Sequence, residues 1–405
     1  MTRRVLLHVG TPKTGTSYLQ DVLFRNRELL EEHGVRYPAH RFDAHFLAAL
    51  DLMRLPWGGL ETEAVGAWDA LAERVRDAEG TAVVSHEILA TASRAQVERA
   101  LTSLGHGRPG VEVHLVLSVR DLVRQLPAEW QENVKHRATL SFARFLDEVR
   151  DPARSSKVAS WFWGVQEVPA ILDRWGHALP PEHVHLVTVP APGAPPDLLW
   201  QRFSHAFGLD DLPIDLHTDR GNPSLGVPET ALVRRINQAV NRDVAPAQYR
   251  PLVRELLAHQ TLSRRTGSPR LALPPEAVAW AQDLSRGWVE QVRDRGYDVV
   301  GDLEDLVGLA PRAAWSDPDA PAEDQVAGAA VDAVRALLLE HARRLETEEA
   351  LRRELREAHE ALERSYLRPS YRLREKVVRR LQSSGAGQRL LEVYRRVRGR
   401  SSRSA

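Results

Sequence analysis

Val5-Leu6-Leu7-His8-Val9-Gly10-Thr11-Pro12-Lys13-Thr14-Gly15-Thr16-Ser17-Tyr18-Leu19 opens with a short apolar run that passes directly into a glycine-rich segment. Beyond it Tyr18, Leu19, Val22, Leu23, Leu29 and Leu30 recur at helical spacing. The stretch reads as strand, glycine loop, helix. Such a unit builds an anion site. The helix start offers unpaired N–H groups and the positive end of its dipole. Glycine lets the backbone close around the ligand, and Lys13 adds compensating charge. It is not a Walker A loop, which needs lysine directly after the second glycine; Gly15 is followed by Thr16.

Further strands are expected at Thr81–Ser85, Val111–Val119 and His183–Val189, with helical segments around His45–Arg54, Glu63–Asp77, Arg94–Leu104 and Gln125–Arg137. Strands alternating with helices predict an α/β fold, a P-loop-like parallel sheet with helices on both faces. Ligands of such sheets bind beyond the carboxyl ends of the strands, which singles out Lys13, His86, Glu87 and Arg120. Residues 197–310 read as mostly helical. A Pro/Asp/Ala-rich stretch, 313–325, reads as a linker after a catalytic domain at 1–312. A C-terminal helical appendage follows: a long charged helix over 326–366, then a basic amphipathic tail over 367–405. Val331, Val334, Leu338 and Leu345, then Leu351, Leu355, Ala358 and Leu362, keep two heptad-like seams that slip phase between them. They point to a coiled coil and a homodimer, or to a charged helix packed on its own body.

Thr11-Pro12-Lys13-Thr14-Gly15-Thr16-Ser17-Tyr18-Leu19 resembles the 5′-phosphosulfate loop of bacterial P-loop-like members of the PAPS-dependent sulfotransferase family. The resemblance implies that Pro12, Lys13, Thr14, Gly15, Thr16 and Ser17 hold the phosphosulfate of 3′-phosphoadenosine 5′-phosphosulfate (PAPS), with Lys13 stabilising charge on the leaving phosphate. It implies that Arg120, at a strand end, holds the 3′-phosphate. The family's partner serine eight residues on is Ala128 here, a departure. Arg220, in Arg220-Gly221-Asn222-Pro223-Ser224-Leu225, closes over the nucleotide or belongs to a helix-capping loop. The general base is His86, Glu87 or His45; strand alternation predicts that only one of His86 and Glu87 enters the cleft. The family needs no metal, and no ligand spacing in the sequence reads as a metal cluster. The acceptor is a hydroxyl or amine of a saccharide, a glycolipid or another small molecule. A P-loop kinase-like phosphotransferase, hinted at by Asp121, and a non-catalytic nucleotide-binding scaffold are the alternatives.

The 405 residues contain no cysteine, which excludes disulfides, thiolate metal sites and a cysteine nucleophile and fits a cytoplasmic setting. Val5-Leu6-Leu7 is too short for a secretory apolar segment. The net charge of zero is an average. From Arg364 to Ala405 there are 13 Lys/Arg against Glu375 and Glu392, about +11, and the body carries the opposite. Leu373, Val377 and Leu381, then Leu390, Tyr394 and Val397, space apolar residues for two basic amphipathic helices. That pattern predicts peripheral contact with an anionic membrane, at its cytoplasmic face, through 364–405, or a tail folded back onto the acidic body. Nucleic acid would not need the apolar stripes.

Overall fold

The computed structural model describes residues 3–218, 224–310, 314–367 and 376–381. The elements that position the site are, in chain order, β1 (Arg3–His8), α1 (Thr16–Arg25), β2 (Val35–Arg36), α2 (Ala44–Met53), β3 (Thr81–Ser85), β4 (Val111–Val119), α3 (Leu122–Lys135), β5 (Val184–Thr188), α4 (Leu198–Phe207), α5 (Val227–Val240), β6 (Asp298–Val300) and α6 (Glu323–Leu367). The six strands form one sheet, in the order β2-β3-β1-β4-β5-β6, and every pairing is parallel. The fold is α/β, with helices flanking the sheet. Parallel strands need covered faces, and these have them. Leu6, Val83, Val116 and Val187 pack with Leu19, Val22, Leu23, Phe203 and Phe207 on the α1/α4 side. Leu7, Val84, Leu115 and Leu117, which alternation sends to the other face, are equally buried.

Two strands extend the sheet beyond the four expected. Val35–Arg36 pairs with only two residues of β3, and Asp298–Val300 with three of β5. The latter falls in the part read as helical; three residues are too few for period-two alternation to stand out. The expected linker at 313–325 is not a free tether. Asp319 accepts hydrogen bonds from Phe142 N and Ala143 N at 3.0 and 2.8 Å and pairs with Arg234, and Trp315 Nε1 donates to Ala272 O.

The chain divides into two units, residues 1–334 and 335–405, so the boundary falls inside α6. The helix begins at Glu323, and Val326, Ala329 and Ala333 in its first turns are buried in the first unit. Val331, Val334, Leu338, Leu345, Leu351, Leu355 and Leu362, the expected seam, are all exposed. In the tail, Lys376–Leu381 is helical, with Val378 and Leu381 half-buried; Leu373, Leu390, Tyr394 and Val397 lie outside the described residues. Among the described residues no helix is long and apolar enough to cross a membrane.

Candidate active site

The order β3-β1-β4 places three connections side by side at the carboxyl ends of the strands: Val9–Gly15 after β1, His86–Thr91 after β3 and Arg120–Asp121 after β4. Gly10 (φ +108°) is needed for space as well as for its dihedral, because a Cβ there would lie 2.9 Å from Glu87 O. Gly15 (φ +92°) starts α1 in the same left-handed region. Lys13 is left-handed too, at φ 65°, uncommon for a residue with a side chain.

The loop is fastened from below by a hydrogen-bond network. Thr11 N donates to Ser118 O, and Ser118 N to Gly10 O, at 2.7 and 2.6 Å. Thr14 Oγ1 donates to Thr11 O at 2.6 Å and lies 2.6 Å from Ser118 Oγ. Beneath them the ring of His8 spans β3 and β4, with Nδ1 2.8 Å from Ser85 Oγ and Nε2 3.0 Å from Ser118 Oγ. Burial pushes His8 down to about 4, so the ring is neutral and serves as a crosspiece. Thr14 and Thr16 are buried, whereas Ser17 is exposed.

On the α3 side, Gln125 joins the loop to Arg120. Its Oε1 accepts from Arg120 Nε at 2.8 Å, and its Nε2 donates to Pro12 O at 2.7 Å. Arg120 Nη2 also donates to Arg124 O. Burial, with Arg124 beside it, lowers the Arg120 guanidinium to about 10, still charged at neutral pH. Asp121 caps α3 by accepting from Arg124 N at 2.8 Å, and pairs with the Arg124 side chain. A cavity of about 740 Å³ opens from Arg120. Ala128 lines it, as do Arg124, Arg265 and Arg270; Arg124 is paired with Asp121, and Arg265 with Glu229 and Asp332. Ser224, Thr266 and Ser268 supply hydroxyls there. The cavity does not include the glycine loop itself; Gln125 is the link between the two.

Sequence reasoning missed Arg265, Arg270, Glu129 and Glu132. The signal for the first pair is Arg264-Arg265-Thr266-Gly267-Ser268, a second stretch of arginine, glycine and hydroxyls. Glu132 accepts from Lys13 Nζ at 2.9 Å. Lys135, His136 and Arg254 also face it, at 3.9, 3.3 and 3.5 Å. Burial alone would raise this carboxyl, but the His136 hydrogen bond and the charges of Lys13 and Lys135 hold it far below the usual carboxylate range. One helical turn earlier the balance reverses. Burial pushes Glu129 up to about 7, only partly offset by Lys13.

The three expected bases separate. His45, on α2, is buried, packs at a tilt against the Tyr37 ring, and accepts at Nδ1 from Ser85 N at 3.2 Å. Burial pushes it down to about 3. It is a core histidine and does not reach the cleft. His86 and Glu87, expected to diverge, lie together, with Nε2 4.0 Å from Oε2. Alternation does not apply because β3 ends at Ser85 and a 3₁₀ turn begins at Glu87. His86 stacks on Phe46 and accepts at Nδ1 from Ile88 N, so its one ring proton is on Nε2, towards Glu87. Glu87 accepts from Gln20 Nε2 at 3.0 Å. Burial would raise it, but His86, its own N–H and Gln20 outweigh burial and keep it ionised. Arg220 lies outside the described residues.

No protein-family model matches the chain, and no curated protein does. Among solved structures it is similar to the crystal structure of a sulfotransferase from Alicyclobacillus acidocaldarius. The two are 18% identical, 62% of this chain and 96% of that one are covered, and the TM-score is 0.38.

Proposed function

We propose that this protein is a sulfotransferase that moves a sulfuryl group from PAPS to a hydroxyl or amine of a saccharide, a glycolipid or another small acceptor. The observation that carries the reading is the bridge made by Gln125. One side chain ties the glycine loop to Arg120, and so holds two anion-binding elements together, as a nucleotide with phosphate groups at both ends requires. The cavity beyond Arg120, about 740 Å³, falls in the range that holds a cofactor-sized ligand. Its arginines suit a nucleoside 3′-phosphate.

When bound, PAPS supplies an activated sulfuryl group. The chain supplies binding and charge. Loop N–H groups and the α1 start hold the phosphosulfate end, and Lys13 stabilises charge that develops there. Arg120, with Arg265 and Arg270, holds the other end. Glu87 is the base, because it is ionised, half-exposed and set against Gly10; His86 orients it through Nε2–H. The kinase reading needs an acid free for magnesium, and Asp121 is buried and spent on Arg124 and the α3 cap. Thermal stabilisation by adenosine 3′,5′-bisphosphate, and little by ATP with magnesium, is the expected outcome. The reverse order returns the protein to the kinase class; no shift with either points to a scaffold. The exposed seam of α6 supports self-association through this helix, and the composition of 364–405 supports contact with an anionic membrane.

A further inference from the structure

At the opposite end of the sheet the strand register gathers a second set of ionisable groups. Side chains alternate along each strand, and the parallel pairing sets Arg4 of β1 beside Glu112 of β4 and Leu115 beside Val184 of β5. Glu112 and His114 therefore share a face, and His183, just before β5, lies next to His114. Their rings stack with centroids 4.1 Å apart. His185 and Asp298 continue the row onto β6.

The hydrogen bonds fix the protons. His185 Nδ1 lies 2.6 Å from Asp298 Oδ2, a distance that requires the proton on Nδ1. His185 Nε2 is then an acceptor, and His114 Nδ1 donates to it at 2.9 Å. His114 Nε2 is left with its lone pair unused. It is buried without a hydrogen-bond partner, and the nearest acidic atom is Glu112 Oε2 at 3.7 Å. A lone pair facing a carboxylate beyond hydrogen-bonding distance is unfavourable unless a cation stands between them.

We propose that Glu112, His114 and His183 form a divalent transition-metal site, with zinc the best fit, and that His185 and Asp298 orient His114 behind it. The ligand atoms of the three residues all lie within 4.8 Å of one another. Tetrahedral zinc with bonds near 2.0–2.2 Å needs separations of about 3.3 Å. His114 is fixed by its relay; closing that gap requires the half-exposed Glu112 to swing in and the half-exposed His183 ring to turn off its stack on His114, because a shared metal must lie in the plane of both rings. Two imidazoles and a carboxylate are a zinc-type donor set that leaves a fourth position for water. A carboxylate–histidine pair behind a ligating histidine is the usual way its ring is held. The site is about 20 Å along β4 from Arg120, too far to touch the sulfuryl chemistry. Its effect is to pin the starts of β4 and β5, and through the relay β6. Arg4 is the neighbouring positive charge and opposes binding.

The test uses the full chain freed of metal with a chelator. Zinc competition against a chromophoric chelator, and cobalt(II) absorption, are followed. One equivalent is expected to bind with Kd at or below about 1 μM, with a tetrahedral cobalt spectrum. Glu112→Gln and His183→Ala, both at half-exposed positions, are each expected to weaken zinc by at least about 10-fold with the far-UV spectrum unchanged. Asp298→Asn removes no ligand but is expected to weaken zinc by about 10-fold, and Arg4→Ser to tighten it. No binding at about 10 μM zinc, or unchanged affinity in the Glu112→Gln/His183→Ala double variant, overturns the proposal.

Discussion

The ammonium of Lys13 lies 2.9 Å from the carboxylate of Glu132, so the cation that the glycine loop offers to a ligand is already paired. Glu132 in turn faces Lys135, His136 and Arg254, and it can release Lys13 without being left alone. An arriving anion competes for Lys13 with a partner that has three other basic groups. Lys13→Ala is expected to lower turnover by about 10²-fold or more, with a much smaller change in affinity for adenosine 3′,5′-bisphosphate. Steady-state kinetics and calorimetry check this, and equal losses in both would assign Lys13 to ground-state binding.

Arg120 and Ala128 line the same cavity. Arg120→Ala is expected to weaken adenosine 3′,5′-bisphosphate by about 10-fold or more, the loss of a charge-assisted contact. Ala128→Ser adds a hydroxyl to the same cavity and is expected to tighten binding by about 5-fold. Calorimetric titration reads both. Unchanged affinity in Arg120→Ala removes the 3′-phosphate role.

Glu87→Gln is expected to abolish transfer while leaving bisphosphate affinity within about 3-fold, since the base acts only on the acceptor. His86→Asn should retain part of the activity and shift its pH profile. His45→Gln should cost stability rather than turnover. Full activity in Glu87→Gln moves the base elsewhere.

Stability should fall steeply in mild acid. His8 and His45 are lowered from 6.5 to about 4 and about 3. The unfolded chain therefore takes up these protons first, and the stabilisation present above pH 6.5 is lost as pH falls towards 4. For His8 alone this is on the order of 3 kcal/mol. Glu129 has the opposite sign. Its pKa is raised from 4.5 to about 7, so its burial costs stability as pH rises through that window. Glu129→Gln should stabilise the protein at pH 8 and have little effect near pH 4. Denaturant titrations across pH measure both slopes, and a flat profile in acid contradicts the neutral state assigned to His8.

The exposed seam and the tail are separable by truncation and substitution. Leu338→Glu with Leu355→Glu should convert a dimer to a monomer in light scattering, and removal of residues 364–405 should abolish sedimentation with anionic liposomes at low salt. A monomeric parent chain, or equal liposome binding with and without the tail, contradicts the respective proposal.

The glycine loop, Arg120 and the sheet were legible because each is local. A strand passes into a loop within ten residues, and an apolar run ends at a charge. Ala128, reached by counting from Arg120, lines the same cavity. What depends on distant pairing was not legible. Glu132 meets Lys13 across 119 residues, and Arg254 joins it across 122. The failure at His86 and Glu87 has a narrower cause: alternation holds inside a strand, and β3 stops one residue before His86. The two short strands escaped because Val35–Arg36 and Asp298–Val300 have too few residues for any period. Glu112, His114, His183 and His185 do not read as a cluster in the sequence, because only the β4–β5 register makes the two pairs neighbours.

The parallel sheet order has a consequence for how the chain is made. No strand pairs through a tight turn; β1 must wait for β3, more than 70 residues on, and β5 meets β6 only after Asp298 emerges. Such non-local closure makes for slow folding. On a ribosome working at roughly 5–20 residues per second, the β5 edge stays open for several seconds. Until then its unpaired N–H and C=O groups are a template for other chains. The three residues of β6 thus act as a late cap on the sheet, and products that stop before them should be the ones that aggregate.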